Sequence, residues 1–314
     1  MDEGGICMTA RGIVPWGLVL FVAAAALPSA SAADRLLVPG LADTGSSNRE
    51  ARQRAIAALP LAALTDADRR TVEECLLRTT LYRRLPTATI GCDAALLDFV
   101  LTKPETLVDV WRVLGISRLA LDRTGPDQWR LADGYGTVGA IRLLHHQRNE
   151  RGGLFVFHGR GGYSGPLSPR DLSGSCVILV RHARAAADAD GRPRQTVQID
   201  AFLDVDGIGL EIVTRTLQPL IVHSAAANLQ EIGLFVTQFA AAASRNPAGV
   251  ARLAERMTRT TAVDRRALVA LAGGSRGRAA AFAGEASADG LQAELAARWL
   301  PIDDSAADTW RTGP

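Results

Sequence analysis

Three side chains in the sequence have the chemistry of acid–base catalysts. His158 and His182 carry imidazoles that titrate near neutral pH, and Tyr163 carries a hydroxyl that can donate a proton to a developing anion. His158 and Tyr163 lie on one strand-like segment and His182 lies on the next, and the three belong to no motif that fixes their mutual geometry. They are therefore candidate residues for a cyclase- or hydrolase-type enzyme, which is one of the functions that the sequence leaves open.

Histidine is scarce, so a metal site can be judged from the five histidines of the chain. His145, His158 and His182 lie on neighbouring strand-like segments, and three imidazoles on one sheet face can hold zinc. Their spacing matches no metal signature, and the adjacent His145 and His146 must point to opposite faces of a strand. We predict no metal site and no cofactor, and interpret these residues as strand histidines with hydrogen-bond partners.

A glycine-rich run at 158–166 is the most unusual local pattern in the chain. It is not a phosphate-binding loop, because no lysine followed by serine or threonine stands in the required order. Ser164 is not in a Gly-x-Ser-x-Gly nucleophile elbow. Glycines inside an antiparallel strand usually mark a bulge or a sharp bend, so the run predicts a strongly curved sheet.

Charge and cysteine content exclude several classes of protein. The formal net charge is +2, and the small basic excess is dispersed along the chain, so we predict no nucleic-acid partner. Cys75, Cys92 and Cys176 form neither a disulfide framework nor a metal-ligand spacing. They are expected to be small buried residues, although one pair could also be joined.

The first 32 residues have the pattern of a cleaved export signal. Arg11 precedes an apolar stretch at 13–27, and Ala30-Ser31-Ala32 forms a small-x-small site with cleavage expected before Ala33. The alternative is an uncleaved anchor, but a spanning helix needs roughly 20 apolar residues and this stretch is shorter. The sequence therefore predicts a periplasmic or secreted chain with no transmembrane anchor after cleavage.

The elements that would position the candidate residues follow from hydrophobic periodicity and turn signals. A linker and a helical arm occupy 33–86, and a domain at 87–243 follows, then a helical extension at 244–302 and a mobile tail at 303–314. Short hairpin connections predict an antiparallel meander. Within the domain the patterns predict a first strand at 87–92, helices at 93–102, 104–114 and 208–243, and six strands at 116–122, 127–132, 135–146, 153–163, 174–187 and 194–205.

The last two strands alternate clearly between apolar and polar side chains. Ile178, Val180 and His182 share one face of the first of these strands, while Ile199 and Leu203 share the apolar face of the second. Asp200 and Asp204 lie on the opposite face. Because that face is polar, we expect both carboxylates to be solvated.

This element order resembles the helix-grip fold of the START-related superfamily, which includes lipid-transfer domains and polyketide cyclases. The resemblance covers 87–243 and rests on the order and length of the elements, helped by a short tryptophan-bearing helix at 105–115. It implies an α+β fold in which a curved antiparallel sheet grips a long C-terminal helix, with extra N- and C-terminal helices. It also implies an apolar cavity lined by Ile178, Val180, Ile199, Leu203, Leu217, Ile221 and Phe235, unless large side chains fill that space.

Three functions are compatible with this reasoning. The preferred one is an exported protein that binds an apolar or amphipathic small molecule, including a lipid, between the sheet and the long helix. The second is the cyclase- or hydrolase-type enzyme that uses His158, Tyr163 and His182. The third is a non-catalytic structural or interaction module, whose extra N- and C-terminal helices would pack on the sheet or on a partner such as an envelope protein.

Overall fold

The computed structural model describes residues 45–164, 171–206 and 210–273, with only the helical backbone for 210–225 and Ala227. The predicted export signal at 1–32, a predicted helix at 288–299 and the tail at 303–314 lie outside the described residues. Among the helices of the described part, none is long and apolar enough to cross a membrane.

The described chain alternates helices and strands in an α+β order. Two helices and a 3-10 turn come first, followed by two short strands, two helices, six strands and three further helices. The helices are α1 (Arg49–Ala57), α2 (Asp66–Arg78), α3 (Ala94–Thr102), α4 (Pro104–Val113), α5 (Leu210–Arg245), α6 (Pro247–Arg256) and α7 (Ala262–Ala272). The strands are β1 (Leu81–Arg84), β2 (Ala88–Ile90), β3 (Ala120–Gly125), β4 (Gln128–Ala132), β5 (Thr137–Asn149), β6 (Gly152–Tyr163), β7 (Leu172–Ala185) and β8 (Arg194–Val205).

The eight strands form one curved antiparallel sheet, which confirms the predicted fold class. The strand order is β1-β8-β7-β6-β5-β4-β3, and β2 also pairs with β8, beyond the end of β1. The long strands β5 to β8 pair with their neighbours in sequence, as in a meander, and a two-residue turn joins β5 to β6. The sequence predicts no strand before residue 87, so β1 is a strand that the pattern of the N-terminal arm did not reveal.

A row of glycines crosses the middle strands where the sheet bends. Gly139 of β5 is opposite Gly161 of β6, which is opposite Gly174 of β7. A Cβ added at Gly161 would stand 2.5 Å from the carbonyl oxygen of Val138 on the next strand. Side chains would therefore collide with the neighbouring backbone here, and glycine permits the close approach that the curvature needs.

The inner face of the sheet, which carries Ile178 and Ile199, holds the main core together with α3 to α7. The second half of α5 is fixed to β2 by two contacts. The Thr237 hydroxyl accepts a hydrogen bond of 2.9 Å from the backbone N–H of Gly91, and Gly233 lets α5 approach Ile90. A long C-terminal helix is thus packed against the sheet, as the fold class predicts.

The outer face of the sheet, which carries Val177 and Phe202, is covered by the N-terminal helices. Asn48 caps α1 and Thr65 caps α2, each accepting a backbone N–H with its side-chain oxygen. Apolar residues of both helices form a second buried cluster with this face. Both faces of the sheet are therefore buried over β6 to β8. The alternation of apolar and polar residues along the strands predicts only one buried face.

The expectation that Asp200 and Asp204 are solvated is wrong. Their relative exposures are 0% and 6%. Asp200 accepts hydrogen bonds from the Tyr82 hydroxyl at 2.7 Å, from Arg84 Nε at 2.8 Å and from Arg181 Nη2 at 2.7 Å. The polar side of β8 is thus an internal ion-pair layer beneath the N-terminal helices, where a buried carboxylate persists because it is paired.

Candidate functional site

An apolar space lies between the inner face of the sheet and helices α3, α4 and α5. Its volume is about 110 Å³, and the nineteen described residues that line it are all apolar. The helices contribute residues such as Leu97, Leu101, Leu107, Trp111, Ile232 and Val236. The sheet contributes residues such as Leu121, Leu131, Ile141, Ile178, Val180 and Ile199.

The structure brings part of the predicted ligand-binding set to this cavity. Ile178, Val180 and Ile199 line it, whereas Leu203 is buried in the adjoining core. Phe235 is fully buried and fills space beside the cavity, since its ring meets Trp111 edge-on and stacks on Phe239. Leu217 and Ile221 lie outside the residues whose side chains the structure describes.

Sequence reasoning missed the wall of the cavity that α3 and α4 supply. Leu97, Val100, Leu101, Pro104, Leu107, Val108 and Trp111 all line it. Their spacing of three or four residues across both helices was a usable signal, because it marks one continuous apolar face. The expectation placed only the sheet and the long helix around the ligand, and so left this face unassigned.

The described lining is almost wholly buried. Leu101 of α3 and Ile232 of α5 are half-buried, and the other described lining residues are buried.

A buried polar cluster lies beyond Val180, which lines the cavity. His182 follows Val180 on the same face of β7, and its Nε2 lies 2.6 Å from Asp98 Oδ1 of α3. Its Nδ1 lies 3.4 Å from Gln195 Oε1 on β8. Both ring nitrogens of His182 face acceptors, and His182 does not line the cavity. The cluster fixes α3 to the sheet.

A polar cleft lies beyond that cluster, at the hairpin between β5 and β6. Its volume is about 390 Å³, and it is lined by polar and charged residues, among them Arg148, Arg151 and Arg184, with His182 and Gln195 at its base. Arg148 Nε lies 2.9 Å from Asp98 Oδ2, so this arginine supports the buried cluster. His182 and Gln195 line the cleft and not the apolar cavity, and the two spaces share no described lining residue.

The three predicted catalytic candidates do not come together. His158 shares the outer face of the sheet with Val156 and is half-buried there, and burial, followed by the charges of Arg142 and Arg160, lowers its pKa. Tyr163 and His182 are far apart along the strands. Tyr163 is the last residue of β6, whereas His182 of β7 pairs with Gly153 near the first residue of β6. Ten residues of strand correspond to roughly 33 Å, which no single substrate of the cavity would span.

The histidines do not form a metal site in the described residues, where no group of three suitable ligands occurs. Cys75, Cys92 and Cys176 are buried, and no disulfide bond joins any two of them in the structure. Burial raises the pKa of the Cys75 thiol to about 11 and that of Cys92 to about 12, so both remain protonated. They are the small core residues that the sequence predicts.

Comparison with known proteins gives no name to this arrangement. No family model matches the chain, and no curated protein is similar to it in sequence. A conserved protein from Geobacillus kaustophilus aligns over 47% of this chain and 92% of its own, with 10% identity and a TM-score of 0.29. A protein from Rhizobium loti aligns over 47% and 97%, with 16% identity and a TM-score of 0.26. Neither similarity is close enough to transfer a fold or a function.

Proposed function

We propose that the chain is an exported binding protein for a small, predominantly apolar molecule, which it holds without covalent chemistry between the sheet and helices α3 to α5. The observation that carries this proposal is the continuous apolar lining of the cavity. Transfer of an apolar molecule from water into such a space is favourable, and among the lining side chains that the structure describes there is no acid, base or nucleophile. Membership of the START-related superfamily and export by residues 1–32 are part of the same proposal.

The volume of the cavity limits the size of the ligand. An engineered apolar cavity of about 150 Å³ in another protein stays dry and binds benzene. With about 110 Å³, this cavity suits a molecule of similar or slightly smaller size. A long acyl chain would require α3 or α5 to move outward, so the proposal concerns small ring compounds and short hydrocarbons rather than lipids.

The cyclase or hydrolase alternative has less support. His158 lies on the far side of the sheet from the cavity, and His182 uses both ring nitrogens in contacts with Asp98 and Gln195. A general base must reach the proton that it abstracts, and neither imidazole meets that requirement for a molecule in the cavity.

Benzene is the appropriate first probe, and substitutions on β7 provide matched variants. In the full chain, benzene should shift the methyl resonances of Ile178 and Val180 and should raise the melting temperature. Val180→Phe should abolish both effects at little cost in stability, because the cavity accommodates the added atoms. Val177→Phe adds the same atoms to the tightly packed outer face, so it should cost about 1–3 kcal/mol while benzene still binds.

Two results would count against the proposal. If a benzene-saturated solution moves neither the methyl resonances nor the melting temperature of the wild-type chain, the cavity is not a binding site. If Val180→Phe destabilises the chain as much as Val177→Phe does, the space that we describe is already filled.

A further inference from the structure

The polar cleft beside the hairpin between β5 and β6 carries an excess of positive charge. Arg148, Arg151 and Arg184 line it, and Glu150 is the one carboxylate among its described lining residues. Arg148 is paired at 2.9 Å with Asp98, which does not line the cleft. Arg151 and Arg184 are exposed, and neither side chain forms an ion pair with a described residue. Two guanidinium groups of the cleft are therefore available to an anion.

Two buried polar side chains form the base of the cleft. His182 and Gln195 are 5% and 1% exposed, and both line it. The His182 ring is held by Asp98 on one nitrogen and by Gln195 Oε1 on the other. The amide nitrogen of Gln195 has no hydrogen-bond partner among the described residues, although buried amide donors ordinarily have one. An acceptor group in the cleft would supply that partner.

The first turn of α3 adds backbone donors at the same place. Ala94, the first residue of α3, lines the cleft. The side chain of Asp93, at the N-cap position, accepts no hydrogen bond from the helix, so it satisfies none of the free N–H groups of the first turn. These groups form the positive end of the helix dipole, which stabilises a nearby anion. The helix and the arginines therefore favour the same sign of charge.

We propose that this cleft binds a small molecule through an oxyanion, either a carboxylate or a phosphate, which Arg151 and Arg184 hold. A guanidinium group can donate two parallel hydrogen bonds to either anion. The cleft volume of about 390 Å³ lies within the range of roughly 300–1,000 Å³ that is typical of small-molecule sites, so the oxyanion belongs to a larger compound. This site goes beyond the apolar cavity and does not depend on it, since the two share no described lining residue.

Inorganic phosphate and succinate are the probes, because they carry the two candidate anions and little else. Each is titrated into the full chain at an ionic strength held constant with sodium chloride, and the backbone amide resonances are followed by NMR. The resonances of Ala94 and Gly152 should shift and saturate, whereas that of Val138, at the far end of β5, should not. Saturable binding of either probe supports the proposal and identifies the preferred anion. If neither probe shifts the two resonances, the proposal is wrong.

Substitution of the two available arginines tests which groups hold the anion. Arg151→Gln and Arg184→Gln each remove one charged donor, so each should raise the dissociation constant of the bound probe by about tenfold. Both side chains are exposed and outside the described ion pairs, so the variants should keep the melting temperature of wild type.

Arg130→Gln is the matched control, because it removes the same charge from an exposed arginine of β4. Arg130 pairs with Ala140, at the opposite end of β5 from the hairpin. The dissociation constant of this variant should equal that of wild type. If Arg130→Gln weakens binding as much as Arg151→Gln and Arg184→Gln do, the probe responds to the net charge of the chain and the proposed site is refuted.

Discussion

Substitution of Asp200 by asparagine is the sharpest test of the two-sided sheet. Asn keeps the size of the side chain and one acceptor oxygen, but it removes the charge that balances two arginines. The Arg84 and Arg181 side chains are 13% and 30% exposed, and they contact Asp200 at 2.8 and 2.7 Å. After the substitution, both guanidinium groups would remain partly buried and would lose the carboxylate that they contact here.

The size of the effect follows from this burial. Removing one partner of a buried ion pair typically costs 3–5 kcal/mol, because the remaining charge is desolvated and unpaired. Since Arg181 keeps access to water, we expect Asp200→Asn to lie at the low end, at about 3 kcal/mol. Chemical denaturation in urea gives this value directly from the shift in midpoint, provided that the slope is unchanged.

Asp122→Asn is the matched control because it removes the same charge from an exposed pair. Asp122 Oδ1 lies 2.6 Å from Arg259 Nη1, but the two side chains are about half exposed, at 49% and 51%. Exposed pairs contribute about 0–1 kcal/mol, so this variant should unfold close to wild type. Equal midpoints for the two variants would refute the burial of Asp200 and would restore the solvated face that the sequence suggests.

Two further outcomes follow from the same packing arguments. A Cβ added at Gly153 would collide with the His182 ring, so Gly153→Ala should lower the free energy of unfolding in urea by about 1–3 kcal/mol. A Cβ added at Gly125 would have no neighbour closer than 3.8 Å, so Gly125→Ala should stay within about 0.5 kcal/mol of wild type. Equal costs for the two variants would contradict the close packing at Gly153. Burial raises the pKa of the Glu105 carboxyl group above its ordinary value of 4.5. The folded chain therefore binds the carboxyl proton more tightly than the unfolded chain does, and the stability gained from this proton is lost as the pH rises above 4.5. Glu105→Gln removes this dependence, so the stability of the variant minus that of wild type should increase with pH; a difference that stays constant from pH 4.5 to 7 would contradict it.

The elements of the sheet could be predicted because their signals are local. The alternation of apolar and polar residues predicts a last strand at 194–205, and the structure has this strand at Arg194–Val205. The long apolar stripe predicts a helix at 208–243, and the structure has this helix at Leu210–Arg245. Lys103-Pro104 predicts the break between two helices, with Pro104 at the start of the second, where its missing N–H costs nothing. Periodicity, turn residues and proline act over a few residues, so they can be read without tertiary contacts.

The candidate site was predictable only on the strands. Alternation places Ile178, Val180 and Ile199 on one apolar face, and these three line the cavity. The opposing wall depends on how α3 and α4 pack, and a helical apolar face does not state which surface it will cover. Phe235 illustrates the same limit, because its apolar character is compatible equally with lining a cavity and with filling the space beside it.

The sequence by itself determined most of the helices and strands, β1 excepted, and the order in which the strands follow one another. It could not decide which polar groups are buried, because their partners are distant in the chain. Tyr82 and Asp200 are 118 residues apart, and the Cys75 thiol reaches a carbonyl 127 residues away. Only the tertiary structure pairs the buried Trp129 indole with Glu105. The physical reason is that burial and hydrogen bonding of a side chain depend on the elements packed against it rather than on its neighbours in sequence.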